Sequence, residues 1–191
     1  MVLASLLIRD ARLYYGGEFV EASVLVEDGV VKAIVRDGDR YVGVVDRVVD
    51  AHGLPLVPGG IDFHAHIYDP DYTHHEDWVS GSLAAVYGGI TTVFDMPLRM
   101  FVDNVDKLKL KISRGLQDSY INFGVHAGMM RDDNLGNIPG LARHGVVGFK
   151  VFTLKPWGVS DHGLLEIMEL VKEYDRVVIV HAEDDALIDY G

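Results

Sequence analysis

From residue 56 onward, apolar runs of strand length alternate without a break with segments of helix length, and few folds accommodate that order. Strand-like runs fall at 56–66, 91–96, 121–127, 146–154 and 176–181. Helix-like segments fall between them at 76–87, 105–116, 134–144 and 163–174. Strict alternation predicts a parallel sheet covered by helices, because parallel neighbours need a long crossover connection. In closed barrels of this kind the chemistry sits at the C-terminal ends of the strands. His64, His66, Asp95, His126, Lys150 and His181 all stand at or near those ends. About five strands do not close an eight-stranded barrel. Either the sheet is open, or the chain is a fragment of something roughly twice as long.

Residues 1–56 read differently. Runs at 6–13, 18–26, 30–36 and 44–50 alternate in polarity or are rich in β-branched residues. Gly16-Gly17 and Asp28-Gly29 separate them, and Asp-Gly is a strong tight-hairpin signal. A small antiparallel unit is expected here.

The net charge is −12, from 17 basic and 29 acidic residues. That argues against a nucleic-acid or anionic-membrane partner, both of which need a basic face. There are no cysteines, so neither a disulfide framework nor a thiolate metal site is available. Any metal must be held by His, carboxylate or modified Lys, which suits an open catalytic site. The N-terminal apolar run has no basic region before it and reads as a first strand and not a signal peptide. No apolar stretch is long enough to span a bilayer, and a cytoplasmic location is expected.

Lys150 stands in Gly-Val-Val-Gly-Phe-Lys-Val-Phe-Thr-Leu (145–154), a run that reads as a strand buried on both faces. Burial disfavours the ammonium and makes a reactive neutral amine. One reading has Lys150 reach the strand end and pair with Asp95, Glu183 or Asp184. The other has carbon dioxide carbamylate it, turning a cation into an anionic oxygen ligand suited to bridging two metals. His64 and His66 lie two apart, so on a strand they face the same side and converge on one ion. His181 ends the run 177–180, where a polar burst, His-Ala-Glu-Asp, faces a site at the strand end. Lesser candidates are His126, for packing or the pocket wall, and Asp95, as a support behind the ligands or a cap. His74 and His75 read as solvated. Trp157, in Lys-Pro-Trp-Gly (155–158), suits a substrate wall.

Four motifs in order carry a family resemblance: Pro-Gly-Gly-Ile-Asp-Phe-His-Ala-His (58–66), Gly-Gly-Ile-Thr-Thr-Val-Phe-Asp-Met-Pro (88–97), Gly-Phe-Lys-Val-Phe (148–152) and Val-His-Ala-Glu-Asp (180–184). From about residue 5 onward the chain resembles the cyclic amidohydrolases, the group of dihydroorotase, allantoinase and dihydropyrimidinase (hydantoinase). The resemblance implies a (β/α)8 barrel with a small β-sandwich. Residues 1–56 would be the N-terminal part of the sandwich, and 57–191 the first part of the metal-dependent hydrolase barrel. It implies two divalent ions, zinc being the expected metal. His64 and His66 would bind one, carbamylated Lys150 would bridge, and His181 would bind the other. A metal-bridged hydroxide would then open a cyclic amide at its C–N bond. Tyr68 and Trp157 would touch substrate, with Asp95 and Glu183 behind the ligands. A homo-oligomer is expected for the full-length protein.

Tyr68 stands where dihydroorotases usually carry an arginine, and Leu98-Arg99 where they carry an asparagine. Tyr72-Thr-His-His-Glu-Asp-Trp with Asp-Met-Pro-Leu looks more like allantoinase, so an allantoin-like ring is the leading expectation. Dihydroorotase and hydantoinase activities are the alternatives. The family also takes a histidine from a sixth strand and a catalytic aspartate from an eighth, and the chain contains neither. The catalytic acid is therefore unknown, and a non-catalytic scaffold relative remains the rival from another class.

Overall fold

Two tight hairpins organise the N-terminal unit. The computed structural model describes residues 5–190. Strands β1 (Ser5–Tyr15) and β2 (Glu18–Glu27) are joined at Gly16-Gly17, and β2 and β3 (Val30–Val35) at Asp28-Gly29. All four turn residues have positive φ, from 51° to 96°, the geometry that matches the twist of flanking antiparallel strands. The core side of this sheet is Leu13, Ala22 and Val24, with Ile8, Val20 and Leu56 against them.

The unit is not purely antiparallel, which corrects the expectation for residues 1–56. Strands β4 (Arg47–Asp50) and β5 (Pro55–Leu56) both pair with β1 in parallel. After β3 the chain crosses through a single 3-10 turn, Asp39–Tyr41, and re-enters beside β1 in the same direction. Side chains fix that return: Ser5 N–H donates to Asp46 Oδ2 at 2.7 Å, and Arg9 Nη2 pairs with Asp50 Oδ2 at 2.6 Å.

The strand expected at 56–66 is also two strands. Pro58 has no N–H to offer a ladder, and pairing resumes when Gly60 N–H donates to Gly89 O at 2.9 Å. The chain divides into compact units at this point, Met1–Pro58 and Gly59–Gly191.

In the second unit strand and helix alternate in the order β6 (Gly60–Ala65), α1 (Trp78–Tyr87), β7 (Ile90–Asp95), α2 (Val105–Asp118), β8 (Asn122–Val125), α3 (Ile138–Arg143), β9 (Gly148–Phe152), α4 (Asp161–Glu173), β10 (Val177–His181) and α5 (Asp185–Tyr190). Strands β6, β7 and β8 are parallel neighbours, and so are β9 and β10. Between β8 and β9 the ladder continues past the end of β8. Val147 N–H donates to Val125 O, Lys150 N–H to Ala127 O and Met130 N–H to Lys150 O, at 2.7–3.0 Å. The five strands thus follow one another in chain order.

Side-chain caps start three of the helices. Asp77 and Ser80 form a reciprocal capping box on α1, Asn104 caps α2, and Ser160 caps α4. The main core packs Leu108, Met130, Ile138, Leu141, Phe149, Val151, Ile167 and Val171 between helices and sheet. At the outer strands, Ile61 on β6 is 67% exposed and Val177 on β10 is 48% exposed. Among the described residues no helix is long and apolar enough to cross a membrane.

Candidate active site

His64 lies near the end of β6 and His66 directly follows its last residue, Ala65, with the two ring centroids 5.3 Å apart. His66 Nδ1 lies 2.6 Å from the Met96 carbonyl oxygen. A carbonyl only accepts, so Nδ1 carries the proton and Nε2 of the neutral ring keeps its lone pair for a ligand. Burial holds the His64 pKa below its ordinary value. Lys150, His66 and His181 push it further down, and Asp62 opposes them. The neutral, metal-binding form of His64 is therefore favoured.

Lys150 sits on β9 with 6% of its surface exposed. Burial lowers its pKa, and no acid offsets that effect. Its Nζ lies 5.2 Å from the centre of the Phe152 ring. The three acids considered as its partners are engaged elsewhere. Asp95 pairs with Lys111 at 3.1 Å, and Glu183 with His181 at 3.1 Å. The Asp184 carboxylate accepts the N–H groups of Ala186 and Leu187 at the start of α5.

His181 ends β10, its ring 5.0 Å from that of Phe152 and its Nε2 on Glu183 Oε2. Among the described residues, no three His, Asp or Glu side chains are arranged to hold a metal ion. The structure brings together a histidine pair, a buried lysine and electrostatic coupling to His181. It does not bring His181 and an acid onto the His64–His66 pair. Among the described residues, a modified Lys150 is the side chain placed to add an anionic oxygen beside His64.

The remaining candidates divide. Tyr68 stacks beside His66 with centroids 6.3 Å apart, and Trp157 is exposed at 6.1 Å from Phe152. His126 is fully buried. Its Nε2–H donates to Phe63 O at 3.1 Å and its ring packs edge-on against Phe63. Burial pushes its pKa down, so it supports β6 as a neutral ring. His74 and His75 pack on Tyr72, at 3.9 and 4.5 Å between centroids, and Arg99 lies over the same ring at 4.9 Å.

Lys111 escaped the sequence reading. It is buried on α2 against Asp95, which is fully buried. Burial raises the Asp95 pKa against the pull of Lys111. Its signal was helical spacing: Leu108, Lys111 and Gly115 form the buried stripe of α2.

Residues 56–190 match the Amidohydrolase family. The chain belongs to the amidohydrolase family. As an amidohydrolase, it is 32% identical over 188 residues to a dihydroorotase of Methanosarcina acetivorans, covering 94% of this chain and 39% of that protein. It is also 32% identical over 188 residues to an allantoinase of Arabidopsis thaliana, covering 92% of this chain and 37% of that one. Among solved structures, an L-hydantoinase (dihydropyrimidinase) from Arthrobacter aurescens superposes with a TM-score of 0.88 at 31% identity, over 97% of this chain and 42% of that one. The five parallel strands are thus the N-terminal portion of an amidohydrolase TIM barrel. The chain spans about two fifths of the length of these relatives, 39% of the first.

Proposed function

We propose that the chain supplies the first part of a metal-dependent hydrolase site, and that the protein opens a cyclic amide at a C–N bond, with an allantoin-like ureide as substrate. Residues 1–56 belong to a small β-sandwich and residues 57–191 to the barrel. His64 and His66 would hold one divalent ion, with zinc the expected metal among the Zn, Fe, Ni and Cu ions that imidazole donors suit. Lys150 would join as its carbamate, and His181 would serve a second ion by ligating through Nδ1 or releasing Nε2 from Glu183. Divalent ions bound there supply Lewis-acid activation of water and of the ring carbonyl. Tyr68 and Trp157 would wall the ring, and Asp95 and Glu183 would hold the ligands from behind.

The observation that carries the proposal is Lys150, an amine buried on β9 with a lowered pKa and no acid to offset it, whose charge bears on His64. Carbamylation needs the free amine. The nitrogen lone pair forms an N–C bond to carbon dioxide, a proton leaves to solvent, and a neutral group becomes a carboxylate-like anion. The allantoin-like choice rests on Tyr68, an uncharged ring beside His66 where a carboxylated substrate would call for a cation. The amidohydrolase family and the equal identities to a dihydroorotase and an allantoinase support the reaction class.

The protein as its gene encodes it, reconstituted with Zn2+ and bicarbonate, should be assayed against allantoin, dihydroorotate and a hydantoin. Ring opening fastest with allantoin, lost to a chelator and restored by Zn2+, is expected. Activity on none of the three would overturn the proposal.

A further inference from the structure

We infer that Lys111, with Asp95 as its counter-ion, is a positioning residue for His66. The buried ion pair grips the peptide of Ile67 on both sides and thereby fixes which nitrogen of His66 faces the site. The inference rests on the reading of His66 as a ligand.

Lys111 reaches from α2 into the segment that follows β6. Its Nζ donates to the carbonyl oxygens of Ile67 and of Asp69, the latter at 2.6 Å, and pairs with Asp95 Oδ2 at 3.1 Å. Two of the ammonium's three protons thus have carbonyl acceptors, and Asp95 Oδ2, which accepts no hydrogen bond among the described residues, neutralises the charge as an ion-pair partner. The other oxygen of Asp95 accepts the Ile67 N–H at 2.6 Å. One ion pair therefore holds both the N–H and the C=O side of the residue that follows His66. The next turn of α2 extends the grip, since Arg114 Nε donates to the Asp69 carboxylate at 3.0 Å.

The same clamp reaches the histidine through β7. Met96, next to Asp95, donates its N–H to Ala65 O at 2.7 Å and accepts the His66 Nδ1–H at 2.6 Å. Residues 66–69 lie outside any strand or helix, yet their direction is set from two sides. A purely stabilising role does not call for this chemistry. A buried ion pair is commonly matched or bettered by apolar residues of similar volume. What apolar residues cannot do is hold a non-helical peptide at both its donor and its acceptor, and that is the geometry on which the His66 tautomer depends.

The test compares the wild-type protein with Lys111→Met and with the double variant Lys111→Met/Asp95→Asn. The single variant strands a buried carboxylate and can fail to fold, whereas the double variant removes both charges. Proton–nitrogen correlation NMR of the metal-free proteins reads the imidazole tautomers, and competition titration reads Zn2+ affinity. Wild-type His66 should be a single Nδ1–H tautomer. In the folded double variant it should become a mixture, and Zn2+ should bind about 10- to 100-fold more weakly. His126, bonded through Nε2–H to Phe63, should not change in either protein. A folded double variant that keeps Nδ1–H on His66 and binds Zn2+ within about twofold of wild type overturns the inference. Failure of wild type to bind Zn2+ would instead overturn the ligand reading, while the tautomer comparison still decides the positioning role.

Discussion

Gly128 and Lys150 pass so close that a Cβ built on the glycine would lie 2.7 Å from the lysine's own Cβ. The contact lies within the β8–β9 ladder, between the Lys150 N–H bond to Ala127 O and the Met130 N–H bond to Lys150 O. Neither atom sits at the far end of a flexible side chain, so the backbones themselves must yield. Gly128→Ala should therefore destabilise the protein by about 1–3 kcal/mol, the usual range for overpacking. Urea denaturation checks it, and an unchanged midpoint would show that β8 and β9 separate more easily than their hydrogen bonds suggest.

Lys150 gives a second prediction, on pH. Its folded pKa is lowered from 10.5, so between the two values the native state binds fewer protons than the unfolded chain. Stability of the metal-free protein should rise with pH across that window and level off above the unfolded pKa. Lys150→Met should remove this rise and make the protein more stable at neutral pH. Denaturant midpoints measured between about pH 7 and about pH 10 test it, since the unfolded lysine titrates near 10.4. A slope equal to that of wild type would mean that the buried amine is not the group responsible.

These residues also show what the sequence discloses and where it stops. The barrel strands are legible because each apolar run ends at a glycine, proline or polar burst. Helix α1 begins at Trp78 and not at residue 76 because Asp77 takes the capping position. The parallel return of β4 was not legible, since it depends on Ser5 and Arg9 meeting Asp46 and Asp50, pairs 41 residues apart. Of the candidate site, the spacing of His64 and His66 and the burial of Lys150 could be read locally. The Glu183 partner of His181 lies two residues away, yet side-chain direction at a strand end follows from packing. Lys111 hid among Lys107 and Lys109, because one-residue-in-two lysines look solvated until the buried stripe of the helix is known.

The α4 cap gives a third prediction. Ser160 Oγ accepts the Gly163 N–H at 3.0 Å and donates to Asp132 Oδ1 at 2.5 Å. Ser160→Ala should cost about 1 kcal/mol, the usual value for a lost side-chain cap. The same hydrogen bond is the largest cause of the lowered Asp132 pKa, so that pKa should move up in the variant. Thermal denaturation and carboxyl NMR titration check the two effects.

If His64, His66 and Lys150 form one metal-binding unit, the metal content of the protein depends on Lys150. The most direct test is metal analysis of the protein as its gene encodes it, purified with Zn2+ and bicarbonate, beside Lys150→Ala. About two divalent ions per chain are predicted for the wild type, as for a two-metal hydrolase, and a clear loss for the variant. Equal metal content in the two proteins, or none in either, would show that Lys150 and the two histidines do not hold metal together.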